Sequence, residues 1–234
     1  MQMDAQVWPA PWPGSALPGR RRHNPRVTDR LATQLLRIAR DPGSGRLRHP
    51  RALAIGLRSA LFTDLVLSGR IGEATAGPVV IAPGADADDR LLEAVLRTVE
   101  RRPNVAWWRW HRHVQVDRRA LTDELVAAGR WSPRRGAWGA PAYDDVDGDA
   151  ALALSGTTLA VMQARTAPAD ARQAVLAVLA TMCGSVVGRP RPRALRRELK
   201  ALVDAAARSG EPGAQILPHV LGGAATLMKR PLRR

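Results

Sequence analysis

The sequence predicts a mainly α-helical protein: one globular helical domain over residues 27–234, with a short β-hairpin and a second, protruding hydrophobic hairpin. Three observations carry this. Apolar residues make up 45% of the 234, enough for a substantial core. Leu53, Leu57, Leu61 and Leu65 recur at every fourth position, the helical period rather than the strand period. Segments with the same period continue to the C-terminus, each ended by glycine or proline.

Residues 1–26 read as a disordered Pro/Arg-rich tail. Prolines interrupt WPAPWPGSALPG, so no apolar run there resembles an export signal. Trp8 and Trp12, followed by Arg20, Arg21, Arg22 and His23, are either chance members of a tail or a membrane-interface pattern. Thr28 or Asp29 is placed to cap a first helix, residues 30–40, with Leu31, Leu35, Leu36 and Ile38 inward. The DPGSG turn ends it.

The organising stretch is residues 54–71, AIGLRSALFTDLVLSGRI, apolar on nearly every side and so a helix packed inside a core. Gly69 stands where a helix C-terminus wants a left-handed residue. Arg58 is the charge inside the apolar run. Asp64, six residues on, lies on another face and is no local partner. Arg58 therefore either pairs with a distant carboxylate or offers its guanidinium to a ligand.

Residues 70–82 change to a hairpin centred on Ala76-Gly77. Asp86 or Asp88 then caps a helix of Leu91, Leu92, Val95, Leu96 and Val99 that ends near Pro103. VAWWRWHRH, residues 105–113, mixes Trp107, Trp108 and Trp110 with arginines, a combination that can stack bases, sit at a membrane interface or fill a core. His111 and His113 lack a second ligand cluster at metal-binding spacing, so no metal is expected. A helix over 116–128, with Leu121, Leu125 and Val126 inward, stops at Gly129.

The second hairpin, residues 134–143, follows. Trp138 lies between Gly136 and Gly139, with Pro141 and Tyr143 nearby and Arg134 and Arg135 at the base. An indole at a slim tip backed by guanidinium groups suits shallow membrane insertion, the alternative being that Trp138 folds back onto Trp131. Asp144, Asp145, Asp147 and Asp149 do not make a calcium loop, since the glycine offset is wrong and no glutamate follows. They read as a solvated loop and a helix cap. Helices over 152–165, 170–187, 195–209 and 216–228 complete the chain.

Thirty-six Lys and Arg against 21 Asp and Glu leave a net charge of +15, which points to an anionic partner, membrane or nucleic acid. The lone Cys183 excludes a disulfide framework and suits a reducing cytoplasm. The longest apolar run, residues 174–187, is too short to span a bilayer. P-loop, G-x-S-x-G, H-E-x-x-H and C-x-x-C motifs are absent, so neither an enzyme nor a cofactor is expected. A helix followed by glycine and a β-wing is also the shape of a winged helix-turn-helix, which keeps a basic nucleic-acid-binding protein as the alternative.

GLRSALFTDLVLSGRI (56–71), a hairpin, and then LLEAVL (91–96) resemble in order and spacing the signature of the Golgi phosphoprotein 3-like family. The 116–128 helix with its following hairpin is similar to that family's R-x-x-[LA]-x-x-L-V-x-x-G element and membrane-inserting hairpin. The resemblance implies a helical, non-enzymatic protein, cytoplasmic and peripheral at the inner face of the membrane. It implies binding of anionic phosphoinositide-like headgroups (phosphatidylinositol 4-phosphate in the family) and an adaptor role toward protein cargo. Carried over by motif, the G-L-R arginine is Arg58 and one arginine of the later helix is Arg118. Its companion position holds Gln115, and the aromatic position falls near His49, both departures. Arg119, with Arg112, Arg51 and Arg48, is close enough in sequence to compensate. The membrane-inserting set is Trp138, Pro141, Tyr143, Arg134 and Arg135.

Overall fold

A computed structural model of the chain describes residues 30–74, 77–80, 89–102, 105–113, 118–136, 139–163, 166–185, 192–208, 210 and 213–229. The expected N-terminal tail lies outside them. Among the described residues nine α-helices and two separate two-stranded antiparallel hairpins follow one another. In order they are α1 (Leu31–Ala39), α2 (Pro50–Leu67), β1 (Ile71–Ala74), β2 (Gly77–Val80), α3 (Arg90–Arg101), α4 (Trp107–His113) and α5 (Arg118–Ala127). They continue with β3 (Trp131–Arg135), β4 (Pro141–Asp145), α6 (Gly148–Met162), α7 (Ala171–Met182), α8 (Pro192–Ala207) and α9 (Leu217–Lys229). The mainly helical class is as expected. No helix among the described residues is long and apolar enough to cross a membrane.

Helix α2 is the central post, packed by α1, α7 and α9, with α3, α4 and β1 also against it. Leu53, Leu57, Ala60, Leu61, Phe62, Leu65 and Val66 are fully enclosed, so the fourfold leucine repeat does mark the core. The helix begins at Pro50, four residues before the apolar run that announced it, because proline fits the first helical turn where no N–H bond is needed. It ends at Leu67, and Gly69, at φ +70°, takes the left-handed C′ position as expected. Within α2, Gly56 is a contact and not a hinge. A Cβ there would lie 2.4 Å from Cys183 Sγ at the end of α7 and 3.1 Å from Leu35 Cδ2 on α1.

Several helix ends differ from expectation, each for a local reason. Asp89 caps α3, its carboxylate accepting from the N–H groups of Leu91 (3.2 Å) and Leu92 (3.0 Å). Asp86 and Asp88, the residues expected in that role, lie outside the described residues. Helix α7 stops at Met182, five residues short of 187, as Gly184 turns left-handed. Helix α6 starts at Gly148, ahead of its first leucine. In the first hairpin the closing pair is Ala74↔Gly77, one residue before the expected centre.

The N-terminus of α1 has no side-chain cap of its own. Asp64 of α2 supplies it from 33 residues away, accepting the Leu31 N–H at 3.0 Å, and also pairs with Arg172 of α7 at 2.8 Å. Beside it Arg30, 6% exposed, pairs with Asp89 and Glu124. One buried ionic cluster thus ties together α1, α2, α5, α7 and the cap of α3. Burial pushes the Asp64 carboxyl up to about 6, against the pull of Arg172 and the Leu31 N–H.

Two predictions follow from this packing. Gly56→Ala is expected to cost about 1–3 kcal/mol by overpacking, exceeding the gain of about 1 kcal/mol in helix propensity. Adding Cys183→Ala should recover much of it, so a double-mutant cycle by urea denaturation should read clear coupling; simple additivity refutes the contact. The second concerns pH. Because the folded pKa of Asp64 is raised from 3.8 to about 6, its contribution to stability is present at low pH and is lost as pH rises through that window. His111, buried and held down to about 4, runs the other way and loses stability as pH falls below its ordinary value. The two slopes oppose each other, so the readout is the difference between wild type and Asp64→Asn. The variant should gain on wild type by up to about 3 kcal/mol between pH 4 and pH 7. A difference independent of pH would refute it.

Candidate anion-binding site

Three segments far apart in sequence enclose an open cavity of about 540 Å³. The first turns of α5 bring Arg118, Arg119, Thr122 and Asp123. The segment joining α1 to α2 brings Arg46, Leu47 and Pro50. The second hairpin brings Ala140, Pro141 and Tyr143. Each wall has a local cause. Arg118 and Arg119 are the first described residues of α5, and they put two guanidinium groups side by side at the cavity, where both favour an anion. Thr122 is turned back by a 2.8 Å bond from its hydroxyl to the Arg119 carbonyl.

The charge balance favours an anion. Three arginines face one carboxylate, Asp123, whose 3.8 Å contact with Arg119 joins two largely exposed groups. Such an exposed pair contributes little to stability. Among the described residues no carboxylate pairs with Arg118 or Arg46. The hairpin wall is less polar: Pro141 is exposed, and the Tyr143 ring lies 5.1 Å from that of Trp131.

The expected headgroup residues divide. Arg118 and Arg119 line the cavity together. His49 is exposed, at φ 45° just before Pro50, and its ring lies beside Gly184 at the end of α7. Gln115 lies outside the described residues. Arg58 is absent from the lining. Its Nη1 donates to the His111 carbonyl in α4 at 2.5 Å. No carboxylate among the described residues pairs with it. Its burial lowers its pKa.

His111 is fully enclosed and holds no metal-binding posture. Its Nε2 is the protonated nitrogen, since it faces the Val220 carbonyl at 3.2 Å, leaving Nδ1 toward the Ser59 hydroxyl at 3.5 Å. Phe62 packs edge-on against both this ring and Trp107. Trp107 and Trp110 are core. No group of three potential metal ligands occurs among the described residues.

In the hairpin, Arg134 bonds the Asp144 carboxylate at 2.9 Å and the Gly43 carbonyl at 3.3 Å, and Arg135 is exposed. Tyr143 is half-buried in the cavity wall. Trp138 lies outside the described residues. The acidic run beyond is solvated only in part: Asp144 and Asp149 are exposed and Asp147 stands at the N-cap position of α6, but Asp145 is not solvated, which corrects the sequence reading for that residue. Asp145 takes a two-pronged bond from Arg37 at 2.9 and 3.1 Å, and Asp147 pairs with Arg130 at 2.6 Å. Burial works against the Asp145 carboxylate, but the Arg37 bonds and charge, with the Trp131 indole, outweigh it and bring its pKa below the ordinary value. Arg37 sits 108 residues away on α1, where no local pattern reveals it.

Sequence reasoning missed Arg46, Leu47 and Pro50 as site residues. The signal was present: DPGSG predicts a reversal, which returns the residues just after it toward the residues just before the helix. What the turn faces could not be read locally.

No curated protein matches this chain. The family model described as Golgi phosphoprotein 3 matches residues 31–222, from the start of α1 into α9. With the G-L-R helix at the centre of the fold and the helix–hairpin element forming two walls of the cavity, the chain belongs to the Golgi phosphoprotein 3 family.

Proposed function

We propose that this protein is a non-enzymatic, peripheral membrane-binding protein that takes the phosphate of an anionic lipid headgroup into the Arg46–Arg118–Arg119 cavity. The observation that carries this reading is the cavity itself: three arginines and room for more than a bare phosphate, walled on one side by the second hairpin. Charge supports it. A surface of net +15 is drawn to an anionic bilayer, and each arginine near that surface contributes about 1 kcal/mol. Arg134 and Arg135 stand at the same hairpin, where they can meet neighbouring phosphates. Trp138, in the turn between them and Pro141, is the residue assigned to shallow insertion.

A phosphoinositide-like headgroup, phosphatidylinositol 4-phosphate above all, belongs to the class that such a cavity accepts: a phosphate for the arginines, hydroxyl groups for Asp123 and Thr122. The place of action is the inner face of the membrane, where an adaptor could hold cargo proteins. In a winged-helix reader of nucleic acid the helix before the wing would enter a groove. Here that helix carries Asp123 on its open side and Glu124 in the Arg30 cluster, which works against a phosphate-lined groove.

Vesicle co-sedimentation at near-physiological salt tests the reading, comparing phosphatidylcholine alone with mixtures containing phosphatidylglycerol or phosphatidylinositol 4-phosphate. Recovery should follow the anionic lipid; equal recovery with neutral vesicles sinks it. Tight retention of random duplex DNA at the same salt would replace it with the nucleic-acid reading. Two arginine variants separate ligand contact from packing. Arg118→Ala should weaken binding by about 1.5–3 kcal/mol, the scale of charge-assisted bonds, and leave the melting temperature in place. Arg58→Ala should do the reverse. Loss of its bond to the His111 carbonyl should lower stability by about 1.5–3 kcal/mol and spare vesicle affinity. If both variants lose binding at unchanged stability, Arg58 touches the ligand after all.

A further inference from the structure

Two of the cavity's walls, the α1–α2 connection and the second hairpin, touch each other, and the contact is made of backbone. Tyr143 donates its N–H to the Gly45 carbonyl at 3.0 Å, and Arg40 Nε donates to the Tyr143 carbonyl at 2.7 Å. Arg134 reaches across to the Gly43 carbonyl. Strand β4 thus finds on the connection a partner for the edge that β3 does not use.

The approach leaves no space for a side chain at Gly45. A Cβ there would stand 2.6 Å from the Tyr143 carbonyl oxygen, 2.9 Å from Arg134 Nη2 and 3.1 Å from the Tyr143 nitrogen, and its φ of +69° already favours glycine. The connection itself is stiff. Asp41 accepts from the Ser44 N–H at 2.8 Å and the Ser44 hydroxyl at 2.9 Å, and it pairs with Arg48. Its backbone closes the turn through Gly45 N–H to Asp41 carbonyl and Asp41 N–H to Arg46 carbonyl, each 2.8 Å. The Arg48 bond, with those from Ser44, holds the Asp41 carboxyl far below the ordinary carboxylate range. Arg46 and Leu47 leave this turn directly into the cavity, while Tyr143 and Pro141 leave the hairpin into it.

We propose that Gly45 is a positioning residue: its backbone contact with Tyr143 sets the hairpin wall against the Arg46 wall, and so sets how tightly the cavity closes on a phosphate. This inference rests on the headgroup reading above. Gly45 touches no ligand and carries no charge, which makes it a clean probe of placement. At the hairpin's base, Asp145 remains held by Arg37 and by the Trp131 indole when Gly45 changes. The expected effect is therefore a hairpin tilted away from the turn and not one that is unfolded.

Gly45→Ala is compared with Gly69→Ala, which carries the same left-handed strain at φ +70° but has no neighbouring atom within 4 Å of its added Cβ. Two readouts are taken on the full chain: hydrogen exchange of the Tyr143 amide, which needs no ligand, and binding to phosphatidylcholine vesicles containing phosphatidylinositol 4-phosphate. Gly45→Ala should speed Tyr143 exchange and weaken vesicle binding about tenfold, the scale of one displaced charge-assisted contact. Gly69→Ala, at a matched loss of melting temperature, should do neither. Unchanged Tyr143 exchange in Gly45→Ala overturns the proposal, and so does faster exchange with undiminished binding, while both leave the headgroup reading standing. Failure of the wild-type chain to bind the vesicles overturns the headgroup reading itself, and this proposal with it.

Discussion

Helix α2 is largely enclosed from Leu53 to Val66, and each buried polar group along it has to find a partner inside the fold. Ser59 and Thr63 do so locally, bonding back to the carbonyls one turn earlier at 3.0 and 2.9 Å. Asp64 cannot. It reaches the bare N-terminus of α1 and the Arg172 guanidinium of α7, and its charge there is favourable to the helix dipole but costly in desolvation. That one carboxylate fixes the register of α1 against α2, because a shift of one residue would leave both the Leu31 N–H and a buried charge unmatched. Once α1 is placed, Arg30, Arg37 and Arg40 project toward α3, α5 and the second hairpin, and the remaining elements have fixed points to meet.

Arginine is thus used in two ways that composition cannot separate. One set is spent inside the fold: Arg30 on Asp89 and Glu124, Arg37 on Asp145, Arg70 on Glu93, Arg58 on the end of α4. The planar fork suits these fixed, partly desolvated bonds. The other set, Arg46, Arg118 and Arg119, lines the cavity, with the exposed Arg135 on the neighbouring hairpin. An excess of base over acid has to appear somewhere as unneutralised surface.

Of the candidate site, one wall was legible. A helix over 116–128 that carries Arg118 and Arg119 near its start and ends at a glycine before a turn-rich run announces both its arginines and its hairpin, because period and turn chemistry are local. Arg58 illustrates the limit. A base in an apolar helix signals an unusual obligation but not its object, and the object is the carbonyl of a residue 53 positions away. The same limit made the acidic run look solvated when Asp145 is in fact entirely enclosed.

The sequence by itself determined the class of the fold, the succession of its elements and the identity of its central helix, since periodicity, glycine stops and helix-starting prolines act within a few residues. It determined the net charge, and so the sign of any partner. Tertiary structure alone decided which arginines line the cavity, that Asp64 caps a helix it does not belong to, and that a turn after α1 becomes a wall beside α5. Those outcomes depend on which surfaces meet when the core closes. The free energy that selects them, desolvation against pairing, exists only once the partners have been brought together.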